Sequence, residues 1–81
     1  MKTDELERVM RTALAGVAPD LEFDELDPET PIRDQADFDS MDTLNFAIAL
    51  SRALGIDIPE SDYPHLASLA ECRRYLAMRT G

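Results

Sequence analysis

The stretch Phe38-Asp39-Ser40-Met41-Asp42-Thr43-Leu44 decides how this chain is read. It joins a long acidic segment to the strongest amphipathic pattern in the sequence. Ser40 sits at the joint, where a helix N-cap is expected, because a serine oxygen there accepts a bond from an otherwise unpaired helix N–H. A hydroxyl fixed by backbone yet open to water also suits a residue that another enzyme modifies. Taken alone, Asp39-Ser40 before a helix reads as a cap, and only the rest of the chain can make it more than that.

Downstream, a helix is expected over about 40–54. Met41, Leu44, Ala47, Ile48 and Leu54 share one broad face, with Leu50 on its flank. Phe46 falls off the centre of that stripe; it reads as a residue at the edge of the core in preference to a partner contact. Gly55 closes the helix as a left-handed C-cap. Upstream, Leu6, Val9, Met10, Ala13, Leu14 and Val17 recur at helical spacing, which predicts a first helix over roughly 4–16. Thr3 is its expected cap, Asp4 and Glu5 favour the positive end of its dipole, and Gly16 and Pro19 mark its end.

Residues 18–39 read as loop, with Pro19, Pro28 and Pro31 among acidic residues. So long a connection is unusual in a compact domain. Leu21, Phe23, Leu26, Ile32 and Phe38 are expected to pin it over the helices, with one short turn near Glu22–Leu26, and Asp27-Pro28-Glu29-Thr30-Pro31 is turn chemistry. Ile56-Asp57-Ile58-Pro59 reads as an extended connector, and Glu60–Tyr63 as one turn of helix cut short by Pro64. Ser68-Leu69-Ala70-Glu71 fits a capping box that opens the last helix. Leu69, Cys72 and Leu76 line one face of that helix, Tyr75 lies beside them, and it frays near Met78. The expected fold is all-α: a small four-helix bundle with three main helices, a short third helix, and a long loop between helices one and two. Residues 1–81 are expected to form one domain, a monomer.

Charge and composition narrow the function. The chain carries 17 Asp and Glu against 8 Lys and Arg, a net charge of −9. The acids are concentrated early: residues 1–42 hold 13 of them with 4 bases, whereas residues 43–81 hold 4 of each. Such a surface argues against nucleic acid, whose phosphates require cations, and for basic protein partners met through steered encounters. Cys72 is the single cysteine, so no intrachain disulfide can form, and a reducing, cytoplasmic compartment is expected. The N-terminal Met1-Lys2-Thr3-Asp4-Glu5 has no signal-peptide character, and no apolar run suits membrane insertion.

Catalytic equipment is nearly absent. The one histidine, His65, stands beside Pro64 and lacks a nucleophile and an orienting partner. Cys72 falls on the apolar stripe of the last helix and reads as a small core residue. Ligands for zinc are too few. Asp34, Asp37, Asp39 and Asp42 lack the spacing, the glycine and the bidentate Glu of an EF-hand, and no glycine-rich phosphate loop exists. What remains is a small acidic bundle that presents one serine at a helix start; neither enzymatic activity nor a metal is expected.

With these features assembled, the sequence resembles the acyl carrier protein family over nearly its whole length. Asp39-Ser40-Met41 stands where that family has its Asp-Ser-Leu attachment motif, followed by Asp42-Thr43. Further matches are Asp27-Pro28-Glu29-Thr30-Pro31-Ile32, the connector Gly55-Ile56-Asp57-Ile58-Pro59, and Ser68-Leu69 opening a helix that carries Tyr75-Leu76. The resemblance implies that a phosphopantetheinyl transferase moves 4′-phosphopantetheine from coenzyme A onto Ser40, and that acyl groups are then carried as thioesters on the arm. It implies that Asp39, Met41, Asp42 and Leu44 meet acyl-loading and acyl-transferring enzymes through basic docking patches. It also implies an apolar seam for the acyl chain, with Met41, Leu44, Ile48, Tyr63 and Leu66 as its lining.

The sequence departs from the family in ways that bear on partners. Met41 replaces the usual leucine, and the helix-two positions that are commonly acidic read Asn45, Ser51, Arg52 and Ala53. Arg73 and the pair Tyr63-Pro64 are also unusual. A carrier for a specialised fatty-acid, lipid or secondary-metabolite pathway is the expectation. Two alternatives stay open: an aminoacyl or peptidyl carrier, and an unmodified acidic helical adaptor for which Ser40 is a plain cap.

Overall fold

The computed structural model describes residues 2–81; Met1, within the expected domain, lies outside the described residues. Four α-helices and two 3-10 segments follow one another, and no strand occurs among the described residues. We number the α-helices α1 (Thr3–Val17), α2 (Ile32–Gln35), α3 (Ser40–Leu54) and α4 (Leu69–Thr80); the 3-10 segments are Phe23–Glu25 and Glu60–Leu66. The all-α expectation stands, as does the small bundle.

In α1, Leu6, Met10, Ala13 and Leu14 are buried, as their spacing demands. Thr3 is not its cap. Lys2 holds the extended capping conformation, no side chain closes the end, and Thr3 is already helical. Gly16 is likewise inside the helix, which ends at Val17 with Ala18 as its C-cap, just before Pro19.

The connection between α1 and α3 is more structured than a loop. Its short turn lies where expected, at Phe23–Glu25. Arg11 reaches across from α1 to hold it, donating to both carboxylate oxygens of Asp24 at 2.8 and 3.1 Å, with its guanidinium 4.5 Å from the centre of the Phe23 ring. The Gln35 side chain then clamps the Asp27–Thr30 turn, donating to the carbonyls of Asp27 and Thr30 and accepting from the Asp27 amide. The Ile32 amide donates to the Ala67 carbonyl at 2.8 Å, and the Ala70 amide to the Pro28 carbonyl at 2.9 Å. These bonds satisfy loop backbone that would otherwise need water. They hold the segment against the start of α4, and Ile32 is fully buried.

The larger correction concerns α3. Its buried face is Phe46, Ala47 and Leu50, not the stripe centred on Met41, Leu44 and Ile48. Met41 is 60% exposed and Ile48 39% exposed, while Leu44 and Leu54 are half-buried. The helix carries apolar residues almost all round, so periodicity alone leaves its rotation loosely defined. The bulkiest side chain settles it. Phe46 is completely buried, at the centre of the core instead of its edge, and meets Phe38 edge-to-face with ring centroids 6.3 Å apart. Gly55 ends the helix at φ 67°, the left-handed C-cap expected of it, and the Ser51 hydroxyl donates to the Ile56 carbonyl beyond the turn.

The 3-10 helix Glu60–Leu66 runs further than the single turn expected, continuing through Pro64. Tyr75 on α4 anchors it by donating to Asp62 at 2.7 Å, and His65 stacks on the Tyr75 ring. The Ser68 oxygen caps α4 by accepting from the Glu71 amide at 3.2 Å, which is one half of the box expected there. Instead of fraying at Met78, α4 reaches Thr80, because Arg79 is tied at 2.6 Å to both the Tyr75 hydroxyl and the Asp57 carbonyl. Helix α1 packs on α3 and α4, and the 3-10 helix packs between those two.

The rotation of α3 is checked by unfolding in urea. Phe46→Ala is expected to cost about 3–5 kcal/mol, whereas Met41→Ala should stay within about 0.5 kcal/mol of the parent.

Candidate functional site

The start of α3 differs from expectation in one residue, and the difference bears on chemistry. Asp39, not Ser40, is the N-cap. Its carboxylate accepts from the Asp42 amide at 3.0 Å, and the Asp42 carboxylate accepts in return from the Asp39 amide at 3.1 Å. This is a complete capping box built from two aspartates. Thr43 adds a bond from its hydroxyl to the Asp39 carbonyl at 3.2 Å. Ser40 is therefore the first residue of the helix. It is exposed, and its hydroxyl has no hydrogen-bond partner among the described residues. Among the described residues the amides of Ser40 and Met41 are also unpartnered, since only that of Asp42 is taken by the cap.

Ser40 opens onto a groove of about 510 Å³ between the start of α3 and the 3-10 helix. Phe38, Thr43, Tyr63, Pro64 and Ala67 form most of its lining, and Arg33 is its one cation. The long connection builds one wall. Phe38 is buried against Phe46, and α2 carries Arg33 to the rim.

The other residues singled out in the sequence do not converge on this groove. Of Met41, Leu44, Ile48, Tyr63 and Leu66, only Tyr63 lines it. Ile48 lines a second groove, between α1 and α3. Leu66 is buried in the core, Leu44 is half-buried, and Met41 projects outward. Asp39 and Asp42 stand together beside Ser40, engaged with each other's backbone. Arg33 has no evident role while residues 32–35 read as loop; Pro31 before Ile32 is the sequence signal of a helix start that points to it.

Residues 8–73 match the family described as phosphopantetheine attachment site. The chain belongs to this family of carrier domains. Such a domain bears a covalent 4′-phosphopantetheine group, and carriers of this kind are generally non-catalytic and work with a phosphopantetheinyl transferase and partner enzymes. No curated protein and no solved structure matches the chain significantly.

The residues present suit the carrier's group. A phosphate ester at a helix start meets unpaired amides and the positive end of the helix dipole, a gain of about 0.3–1 kcal/mol. The Ser40 hydroxyl stands beside two such amides, and Arg33 lines the groove onto which it opens. When bound, the group supplies a thiol on a flexible arm, which holds cargo as a thioester. The chain's own thiol does not compete with it. Cys72 is wholly buried, and desolvation pushes its pKa up to about 12, which keeps it protonated and inert at neutral pH. Among the described residues, no group of His, Cys, Asp and Glu could hold a metal ion, and no helix is long and apolar enough to cross a membrane.

The division of labour between Asp39 and Ser40 gives opposite mutational outcomes. Asp39→Ala should lower stability by about 0.5–2 kcal/mol through loss of the cap. Ser40→Ala should leave stability within about 0.5 kcal/mol of the parent. Thermal or urea unfolding of the unmodified chain reads both, and the reverse order would place the cap at Ser40.

Proposed function

We propose that Ser40 is the attachment residue, and that a phosphopantetheinyl transferase moves 4′-phosphopantetheine from coenzyme A onto its oxygen. The observation that carries this reading is an exposed serine hydroxyl, free of hydrogen bonds, at the first position of a 15-residue helix within the matched stretch. The cap being Asp39, modification of Ser40 takes nothing from the fold. Asp39 and Asp42 give the Ser40 end of α3 two carboxylates, a surface suited to the basic patch of an enzyme that must approach Ser40. Met41 and Leu44 supply apolar contact on the same end of α3.

In this reading the chain is one carrier domain, monomeric and cytoplasmic, that carries acyl groups and catalyses nothing itself. Its cargo lies in the groove beside Ser40, with Tyr63 as the aromatic wall. Phe38-Asp39-Ser40 favours acyl over peptidyl cargo. A specialised fatty-acid, lipid or secondary-metabolite pathway is favoured by α3 itself, whose outward face beyond Asp42 carries Asn45, Ile48 and Arg52 and no carboxylate. Partners selected for an acidic helix would lose attraction there.

The intact mass decides the attachment. After incubation with coenzyme A, magnesium and a broad-specificity phosphopantetheinyl transferase, the parent should gain a single phosphopantetheine increment and Ser40→Ala none. A folded parent that gains nothing with several transferases would favour the unmodified adaptor. An increment that survives Ser40→Ala would move the attachment elsewhere. Loading of the modified chain by an amino-acid-adenylating enzyme would turn the cargo from acyl to aminoacyl.

A further inference from the structure

The second groove lies along α1 and α3, away from the one that holds Ser40. It encloses about 540 Å³, and Val9 and Ala13 of α1 with Ile48 and Ala49 of α3 give it an apolar floor. Two arginines, Arg8 and Arg52, stand on it from the two helices. Neither takes part in an ion pair among the described residues, where the pairs formed are Arg11–Asp24 and Arg79–Asp62. In a chain of net charge −9, this is a local reversal of sign. Ile48 is one of three large apolar side chains left exposed among the described residues.

Exposed apolar surface and unpaired cations together define what fits. A basic partner segment would meet like charge at both arginines. A purely apolar ligand would leave both unanswered. We propose that this groove docks a partner segment of amphipathic, acidic character: apolar side chains seated on Val9, Ile48 and Ala49, flanked by carboxylates that pair with Arg8 and Arg52. The inference rests on the carrier reading, since it makes the occupant part of an enzyme or domain that works on the arm.

The surface along α3 is thus of two signs. Asp39 and Asp42 make the Ser40 end acidic, and Arg52, about 18 Å further along the axis at 1.5 Å per residue, makes the far end basic. A partner that places a basic patch over Ser40 and an acidic segment in the α1–α3 groove can dock in one direction only. A partner basic throughout is repelled at the far end. This polarity sets which enzymes the carrier serves and orients Ser40 toward them.

The test uses the unmodified full chain, so it stands or falls separately from the mass increment at Ser40. The probes are two acetylated, amidated helical peptides with the same apolar residues, one with glutamates and the other with lysines at the flanking positions. Amide chemical shifts of the isotopically labelled chain are followed during titration. The glutamate peptide should shift the amides of Arg8, Thr12, Ile48 and Arg52 and leave those of Ser40 and Tyr63 in place. The double variant Arg8→Glu/Arg52→Glu should weaken that binding about tenfold, two reversed charge pairs being enough for such a change. Arg8→Lys/Arg52→Lys should retain most of it, which separates charge from any loss of fold. Ile48→Ser should weaken it as well. The proposal is overturned if the lysine peptide shifts the same amides as strongly, if neither peptide does, or if those amides move with protein concentration alone, which would make a second copy the occupant.

Discussion

The edge-to-face contact of Phe38 with Phe46 is the constraint from which the functional end of this molecule follows. Phe46 is buried completely, and so fixes the rotation of α3 about its own axis. Phe38 is the last apolar anchor of the long acidic connection, and it meets Phe46 with rings at 82° and centroids 6.3 Å apart. Only Asp39 stands between Phe38 and Ser40, the proposed attachment residue. With Phe38 held, the chain has room for one capping residue before the helix begins, and that residue is Asp39. Ser40 then emerges on the surface with its hydroxyl unoccupied. A single aromatic pair therefore joins the core to the chemistry.

The acidic connection has a structural role as well as an electrostatic one. Its carboxylates and amides hold turns: Asp24 binds Arg11, Asp27 accepts from Glu29 and Thr30, and Gln35 clamps both ends of that turn. A segment so bonded can form a wall of the groove beside Ser40, which an unstructured loop of the same length could not. On α4, Tyr75 ties the helix to the 3-10 helix Glu60–Leu66 through Asp62 and to its own C-terminal turn through Arg79. Desolvation raises the pKa of the Tyr75 hydroxyl, and its bond to the Asp62 carboxylate acts in the same direction. The phenol thus stays protonated and donating throughout the neutral range.

Much of this was legible in the sequence. The helices of residues 3–17, 40–54 and 69–80 announce themselves through apolar spacing, a glycine at Gly55 and a serine at Ser68, because caps and periodicity are local and need no knowledge of the fold. The position of Ser40 at a helix start was legible for the same reason. Which residue caps that helix was not. Asp and Ser are equally good caps, and two of them in succession leave the choice to the contact made by Phe38. The face of α3 was misread because Met41, Leu44, Phe46, Ile48 and Leu50 surround the helix, and only long-range packing tells which of them faces inward. Helix α2 was missed because four residues carry little periodic signal, and its stability comes from burial of Ile32 and from a backbone bond to Ala67, distant in sequence. Arg33 was missed with it. The acyl-lining residues named from the sequence scattered for a related reason: a seam depends on the rotation of two helices, and one of those rotations was off.

The central claim is that the fold leaves the Ser40 hydroxyl free, so that modification there is added to the structure without being subtracted from it. Amide spectra of the chain before and after enzymatic loading test this most directly, together with its thermal midpoint. The account predicts shifts confined to the start of α3 and to the groove beside it, around Arg33, Phe38 to Thr43 and Tyr63 to Ala67, with an unchanged midpoint. Shifts spread through α1 and α4, or a lowered midpoint, would show that the hydroxyl was part of the cap and would contradict the account.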